Sequence, residues 1–318
     1  MTDTLVAMQA LPTTELTDWL LQSSIPTIRF KTHTDLLDQG EMVTADDRAA
    51  IIQEGPVPAL LAEQLANGTW ARETGYYSPK YTSTHWTLLL LAELAIDGQN
   101  PRFQQGVEYM LTTTAAEIER GLTQNPLHLA CLWGNVLRYV LHGGRADTRV
   151  ERLIDYAVQS VNRGPCQCRY NDNYACAWGT VRALWGLAAT PPAQRTPNVN
   201  HAIDQGIAFL LDSYQLVKAD YPTPDNGNVH MLWSKLSFPL FYQVDILFTL
   251  RVLAELDALD QPGAQPALQW LAARQQKNGR WRGSNPYRAR TWRVLSDSEE
   301  TDRWVSLYAA SIQKQANK

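Results

Sequence analysis

Apolar residues recur at three- and four-residue spacing in runs that come in pairs, and this pairing limits the fold more than any other feature of the chain. The expected helices cover residues 14–22 and 26–37, 56–66 and 83–96, 101–112 and 126–142, 148–160 and 174–189, 201–215 and 237–259, and 266–276 and 302–315. Sustained alternation of apolar and polar residues, the mark of a half-buried strand, does not occur. Six helical hairpins at a spacing of roughly 45 to 50 residues are the pattern of a helical repeat array. Pro56, Pro101 and Pro126 stand at the starts of runs, where a missing N–H leaves no hydrogen bond unmade.

The two members of each pair differ in character. Second members, such as 86–95 and 175–189, are apolar nearly all round, as a helix buried on most sides must be. First members, such as 149–160 with Arg149, Glu151, Arg152 and Asp155, carry a solvated face. An inner ring of apolar helices within an outer ring of amphipathic ones satisfies both, so the expected fold is an all-α (α/α)6 toroid. It would form one domain over residues 1–318, with 1–12 as a flexible N-terminal segment. An open solenoid is the alternative that periodicity leaves standing.

Charge and hydropathy exclude several classes of partner. With 28 Lys and Arg against 32 Asp and Glu the net charge is −4, which disfavours nucleic acid. The longest strongly apolar stretch, 87–95, is far shorter than a bilayer span. Residues 1–12 lack a basic segment followed by an apolar one, so no secretory signal is expected and the cytoplasm is the expected setting. Four cysteines in 318 residues are too few for a disulfide framework.

The turns inside two hairpins repeat a short pattern. Gln64-x3-Gly68-x-Trp70 recurs as Gln275-x3-Gly279-x-Trp281, and Gln159 to Gly164 is a worn copy with Pro165 and Cys166 in place of the Trp. The glycine suits the left-handed end of a helix, the Trp can fold back over the last turn, and the Gln can bond orphan carbonyls. With Ala267-Leu268-x-Trp270-Leu271 before the second copy, this pattern resembles the QW repeat of the squalene–hopene and oxidosqualene cyclases. The β subunits of protein prenyltransferases share their α/α toroid. The resemblance implies the toroid and a hydrophobic, isoprenoid-like substrate. It does not bring the family's chemistry with it. Asp-x-Asp-Asp, Asp-Asp-x-x-Asp and the zinc-binding Asp-x-Cys are all missing, so function rests on the sites.

Three groups of residues carry candidate chemistry. Cys131, Cys168 and Cys176 lie where three thiolates can converge, with Cys166, His85, His128 or His230 as a fourth ligand, a donor set that suits zinc. The alternatives are packed inert thiols, or Cys131 or Cys176 as a nucleophile with His128 as base. Asp245 sits in the apolar run 238–248, where desolvation would raise its pKa and suit it to general acid catalysis. The alternative is a structural Asp that caps a loop or pairs with Arg138, Arg182 or Arg251. Tyr242, His85 and His128 are the expected orienting groups. Trp86, Trp133, Asn135, Arg138, Trp178, Arg182, Phe238, Phe241 and Trp304 are the expected substrate-binding residues, their rings being suited to cationic transition states.

Two long loops, 218–235 and 280–301, are expected as lids or partly mobile segments. Arg282, Arg288, Arg290 and Arg293 could meet a phosphate or carboxylate at the mouth, with a plain solvated loop the favoured reading of these charges. The leading expectation is a cyclase-like lyase or isomerase that performs acid–base chemistry (cyclisation, isomerisation, hydration or dehydration) on a small hydrophobic molecule in a central apolar cavity. A cysteine-dependent hydrolase or acyl transferase is the second. A non-catalytic toroid that binds lipid or protein and holds a structural zinc is the third.

Overall fold

The computed structural model describes residues 13–125, 127–162, 166–218 and 230–318. The expected flexible segment 1–12, Pro126, the Gly164–Pro165 part of the worn repeat and most of the first expected lid lie outside them. The described chain is all-helical, and its only strand-like pairings are isolated bridges. No described helix is long and apolar enough to cross a membrane.

The expected pairs form, with shifted ends. Helices α1 (Thr14–Leu21) and α2 (Pro26–Lys31) come first. A third, α3 (Glu41–Gln53), was not expected, because its composition is polar. Then come α4 (Pro56–Ala62) with α5 (Thr84–Glu93), α6 (Pro101–Leu122) with α7 (Ala130–His142), and α8 (Thr148–Asn162) with α9 (Ala177–Ala188). The last pairs are α10 (Pro197–Ala208) with α11 (Ile246–Glu255), and α12 (Gln265–Ala272) with α13 (Ser298–Ala316). Side-chain caps set many of the starts: Thr13 on α1, Asn100 before Pro101 on α6, Thr196 before Pro197 on α10, and Asp297 on α13.

The difference between pair members is real. Residues 84–91 of α5 and 177–187 of α9 are buried without a break. Helix α8 instead turns Arg149 and Arg152 outward to Glu108 and Glu119 on α6, at 2.6 Å each. Helices α5, α7, α9, α11 and α13 touch one another in succession, and α13 also touches α2. Thr27 Oγ1 of α2 donates to the Leu94 carbonyl just beyond α5, at 2.6 Å. At the chain's other join, the hydroxyls of Ser23 and Ser24 donate to the Glu300 carboxylate of α13.

The two QW-like turns are the same device built twice. Gly68 and Gly279 take φ of +85° and +79°. Trp70 Nε1 donates to the Leu60 carbonyl at 2.8 Å, and Trp281 Nε1 to the Leu271 carbonyl at 2.9 Å. Gln64 and Gln275 each donate to the glycine carbonyl at 3.0 Å. Orphan carbonyls at the helix end are thereby satisfied, and Gln64 also reaches the Arg102 carbonyl of the next pair.

The closest helix contact is α7 against α9. A Cβ on Gly134 would stand 2.2 Å from the Arg182 carbonyl oxygen, and one on Gly186 would stand 2.6 Å from that of Gly134. Only hydrogen at both positions permits backbones this near. Gly134→Ala should therefore lower stability by about 1–3 kcal/mol or more, as overpacking a close-packed interior does. Urea unfolding reads this directly; an unchanged midpoint would contradict the contact.

Candidate functional site

Three departures from helical structure shape one cavity. Leu129 takes a left-handed conformation at φ +62°, so α7 starts at Ala130 rather than at 126. Residues 166–176 form a tight hairpin, bridged between Gln167 and Ala175, and Cys176 caps α9 by accepting from Gly179 N–H at 3.3 Å. Residues 237–245, expected as the first turns of a helix, run as irregular chain instead. Pro239 disfavours a helix there, and the freed carbonyls find partners: Asn135 donates to Phe241 O at 2.9 Å and Arg182 to Gln243 O at 2.7 Å.

The cavity, about 700 Å³, lies at the N-terminal ends of α5, α7 and α9. Its wall comprises Trp86, Leu129, Leu132, Trp178 and Tyr242, with Cys131, Cys168 and Cys176 beside them. Tyr76, Tyr77, Lys80, Glu117, Arg169, Tyr170, His230 and Gln243 complete it. Of the expected site residues, Tyr242, Trp86, Trp178 and the three cysteines are thus brought together.

The others lie elsewhere, each for a visible reason. Phe238 stacks on Trp304 at 4.3 Å and Phe241 on Tyr81 at 4.5 Å, filling the interior below the cavity. Trp133 packs at a tilt against Tyr156 in the core. Arg138 forms a two-point pair with Glu255, at 2.5 and 3.2 Å. Arg182 is fully buried over the Phe248 ring, and burial pulls its pKa down to about 9. His85, also fully buried, meets the Tyr139 hydroxyl at 3.3 Å, and desolvation takes it down to about 3, so the ring is neutral. His128 precedes the left-handed Leu129, which denies it the helical face shared with Cys131.

Asp245 is a cap rather than a wall residue. One oxygen accepts from Phe248 N–H at 2.8 Å, the other from Ser237 N–H at 2.7 Å, and the side chain is fully buried. Desolvation raises its pKa to about 7 against the opposing pull of those two donors. The expectation of a raised pKa is met, yet the group is turned to the backbone.

Cys131, Cys168 and Cys176 converge on the cavity wall. Among the described residues, no group of three or more His, Cys, Asp or Glu side chains is arranged to hold a metal ion. The sulfur of Cys176 is engaged at the start of α9, and desolvation pushes Cys131 up to about 11. Cys166, buried behind the wall, is raised to about 12 for the same reason.

Cys168 goes the other way, down to about 6. The hydrogen bond from the Cys176 thiol is the largest cause; burial opposes it, and the backbone N–H groups of Tyr170 and Asn171 and the charge of Arg169 assist. Cys168 is therefore shifted toward the thiolate, whereas burial holds Cys131 and Cys166 as thiols.

Sequence reasoning missed much of the rim. Tyr76, Tyr77 and Lys80 come from the loop before α5, where no periodicity marks them; an aromatic pair in a long loop was the available signal. The Lys80 ammonium lies over the Tyr77 and Tyr242 rings at 5.3 and 5.0 Å, and no carboxylate pairs with it among the described residues. Tyr76 donates to Glu117 at 2.5 Å. The second expected lid is tied down: Tyr287 is buried and Asn285 donates to the Leu295 carbonyl.

No family model matches this chain, and no curated protein matches it.

Asp245→Asn should cost about 1–3 kcal/mol, since an amide nitrogen cannot accept from Ser237 N–H. The raised pKa also sets a pH dependence. Folding is favoured by the protonated form, so this contribution is fully present below the unfolded value of 3.8 and lost as pH rises to about 7. The stability advantage of wild type over Asp245→Asn should thus shrink between pH 4 and 7; an advantage that grows would contradict the assignment.

Proposed function

We propose that the chain is a closed α/α toroid of the terpenoid-cyclase kind, and that it is an enzyme using Cys168 as nucleophile on a small, largely apolar molecule. Ring closure is supported by the contact of α13 with α2 and the bond from Thr27 to Leu94. The observation that carries the function is the placement of Cys168. Its sulfur, with a pKa lowered by its hydrogen-bond donors, lies on the wall of a cavity that also presents Trp86, Trp178, Leu129 and Leu132. Those apolar faces suit a hydrocarbon body, and Lys80 at the rim suits an anionic or strongly polar head.

The reaction class is acyl transfer or hydrolysis. The Cys168 sulfur adds to the carbonyl carbon of an ester or thioester and expels the alkoxide or thiolate, leaving a thioester on the enzyme. Water or an acceptor then attacks that thioester and releases Cys168. A second reading, acid–base chemistry on an isoprenoid-like molecule, draws on the Tyr76–Glu117 pair in the same wall. It would place the proton carrier at Glu117 instead of Asp245.

Magnitudes decide how to test the thiolate. Lowering a thiol from its usual 8.5 to about 6 raises the ionised fraction at pH 7 about 30-fold, but intrinsic nucleophilicity falls roughly 13-fold. The net advantage is about twofold at pH 7 and roughly tenfold at pH 6. Iodoacetamide should therefore modify Cys168 first, with a rate that halves near pH 6 and falls below it. p-Nitrophenyl butyrate should give a burst of one nitrophenolate per chain, lost in Cys168→Ser. No burst in wild type, with turnover of an isoprenoid alkene that is lost in Glu117→Gln, would favour the acid–base reading.

A further inference from the structure

The reactive sulfur has a second thiol beside it, and the fold holds the two together. In the hairpin register set by the Gln167–Ala175 bridge, Cys176 N–H donates to Cys166 O at 2.7 Å and Cys168 N–H to Tyr174 O at 3.2 Å. Residues 166, 168, 174 and 176 therefore share one face of the hairpin, with Cys176 directly opposite Cys166 and diagonal to Cys168. Cys168 and Cys176 both line the cavity, whereas Cys166 is buried behind its wall, so these two are the thiols of this face that a molecule in the cavity can reach. Hydrolysis of an acyl-enzyme needs one sulfur only, so the pairing is unexplained by the reaction proposed above.

We infer that Cys168 and Cys176 form a reversible oxidation site for an organic hydroperoxide that enters this cavity. The inference rests on the reading of Cys168 as the nucleophile. The Cys168 thiolate attacks the terminal oxygen of the hydroperoxide and breaks the O–O bond. Cys168 becomes a sulfenic acid, and the alkoxide takes a proton and leaves as the alcohol. The Cys176 sulfur then attacks the sulfenic sulfur, its proton leaves with the hydroxyl as water, and a Cys168–Cys176 disulfide remains. Two thiols are oxidised for one hydroperoxide reduced. The Gly179 N–H on the Cys176 sulfur favours the anionic form needed for that attack. An external dithiol restores both groups, with Cys168 the better leaving thiolate. While the disulfide stands, the nucleophile is absent.

The test uses the full chain with one equivalent of cumene hydroperoxide, and hydrogen peroxide in parallel. The intact mass should fall by two hydrogens, unreduced digestion should give one linked pair, Cys168 with Cys176, and dithiothreitol should restore iodoacetamide labelling of Cys168. Cumene hydroperoxide should react at least as fast as hydrogen peroxide, because the wall is apolar. Cys176→Ser should gain one oxygen, trapped by dimedone, and lose no hydrogens. Linkage of Cys168 to Cys131 or Cys166, linkage of Cys176 to Cys166, or stable gain of two or three oxygens in wild type, would overturn the pairing. No oxidation while iodoacetamide still labels Cys168 rapidly at pH 6 would overturn the inference and leave the nucleophile intact. Slow labelling at pH 6 would remove both.

Discussion

Helices α7 and α9 meet backbone to backbone through Gly134 and Gly186, and the geometry of the cavity depends on that contact. Two helices with ordinary side chains at the crossing stand about 8–10 Å apart; glycine removes the side chains that hold them off. Their N-terminal ends are drawn together, and each end carries a cysteine of the wall, Cys131 on α7 and Cys176 as the cap of α9. The left-handed Leu129 on one side and the 166–176 hairpin on the other stop both helices short. The open space lies where these helices end. Had either continued by another turn, its side chains would occupy the volume now left open.

The same desolvation acts on Asp245, Cys131, Cys166 and Cys168 with different outcomes, and the difference lies in hydrogen-bond donors. Asp245 has two backbone donors, but full burial outweighs them and carries it up to about 7. Cys131 and Cys166 have weaker support and rise to about 11 and 12. Cys168 is only half-buried and receives a neighbouring thiol, two backbone N–H groups and an arginine's charge, so it falls to about 6. Reactivity on this wall is therefore set by a local turn, not by the helices that frame it.

The helices were largely legible, because an all-round apolar run such as 84–91 has few other ways to be buried. The QW-like turns were legible too, down to the fold-back of Trp70 and Trp281. What escaped were segments whose partners are remote in sequence. Residues 237–245 read as helix by composition, but two of their carbonyls are taken by Asn135 and Arg182, on helices 106 and 61 residues upstream respectively. Asp245 read as an acid because its own segment shows no donor; both donors are backbone groups that sequence does not display. The convergence of three cysteines was legible from their clustering. Which of them is ionised was not, because that depends on the hydrogen bond between Cys168 and Cys176 and on the turn at Tyr170 and Asn171.

The central claim is that an ionised Cys168 opens onto an unfilled, aromatic-walled space. A crystal structure of the chain after reaction with one equivalent of iodoacetamide tests this most directly. The account predicts a carbamidomethyl group on Cys168 that projects between Trp86, Trp178 and Tyr242 with the surrounding helices unmoved. An adduct directed to bulk solvent, or a space closed by those side chains, would contradict it.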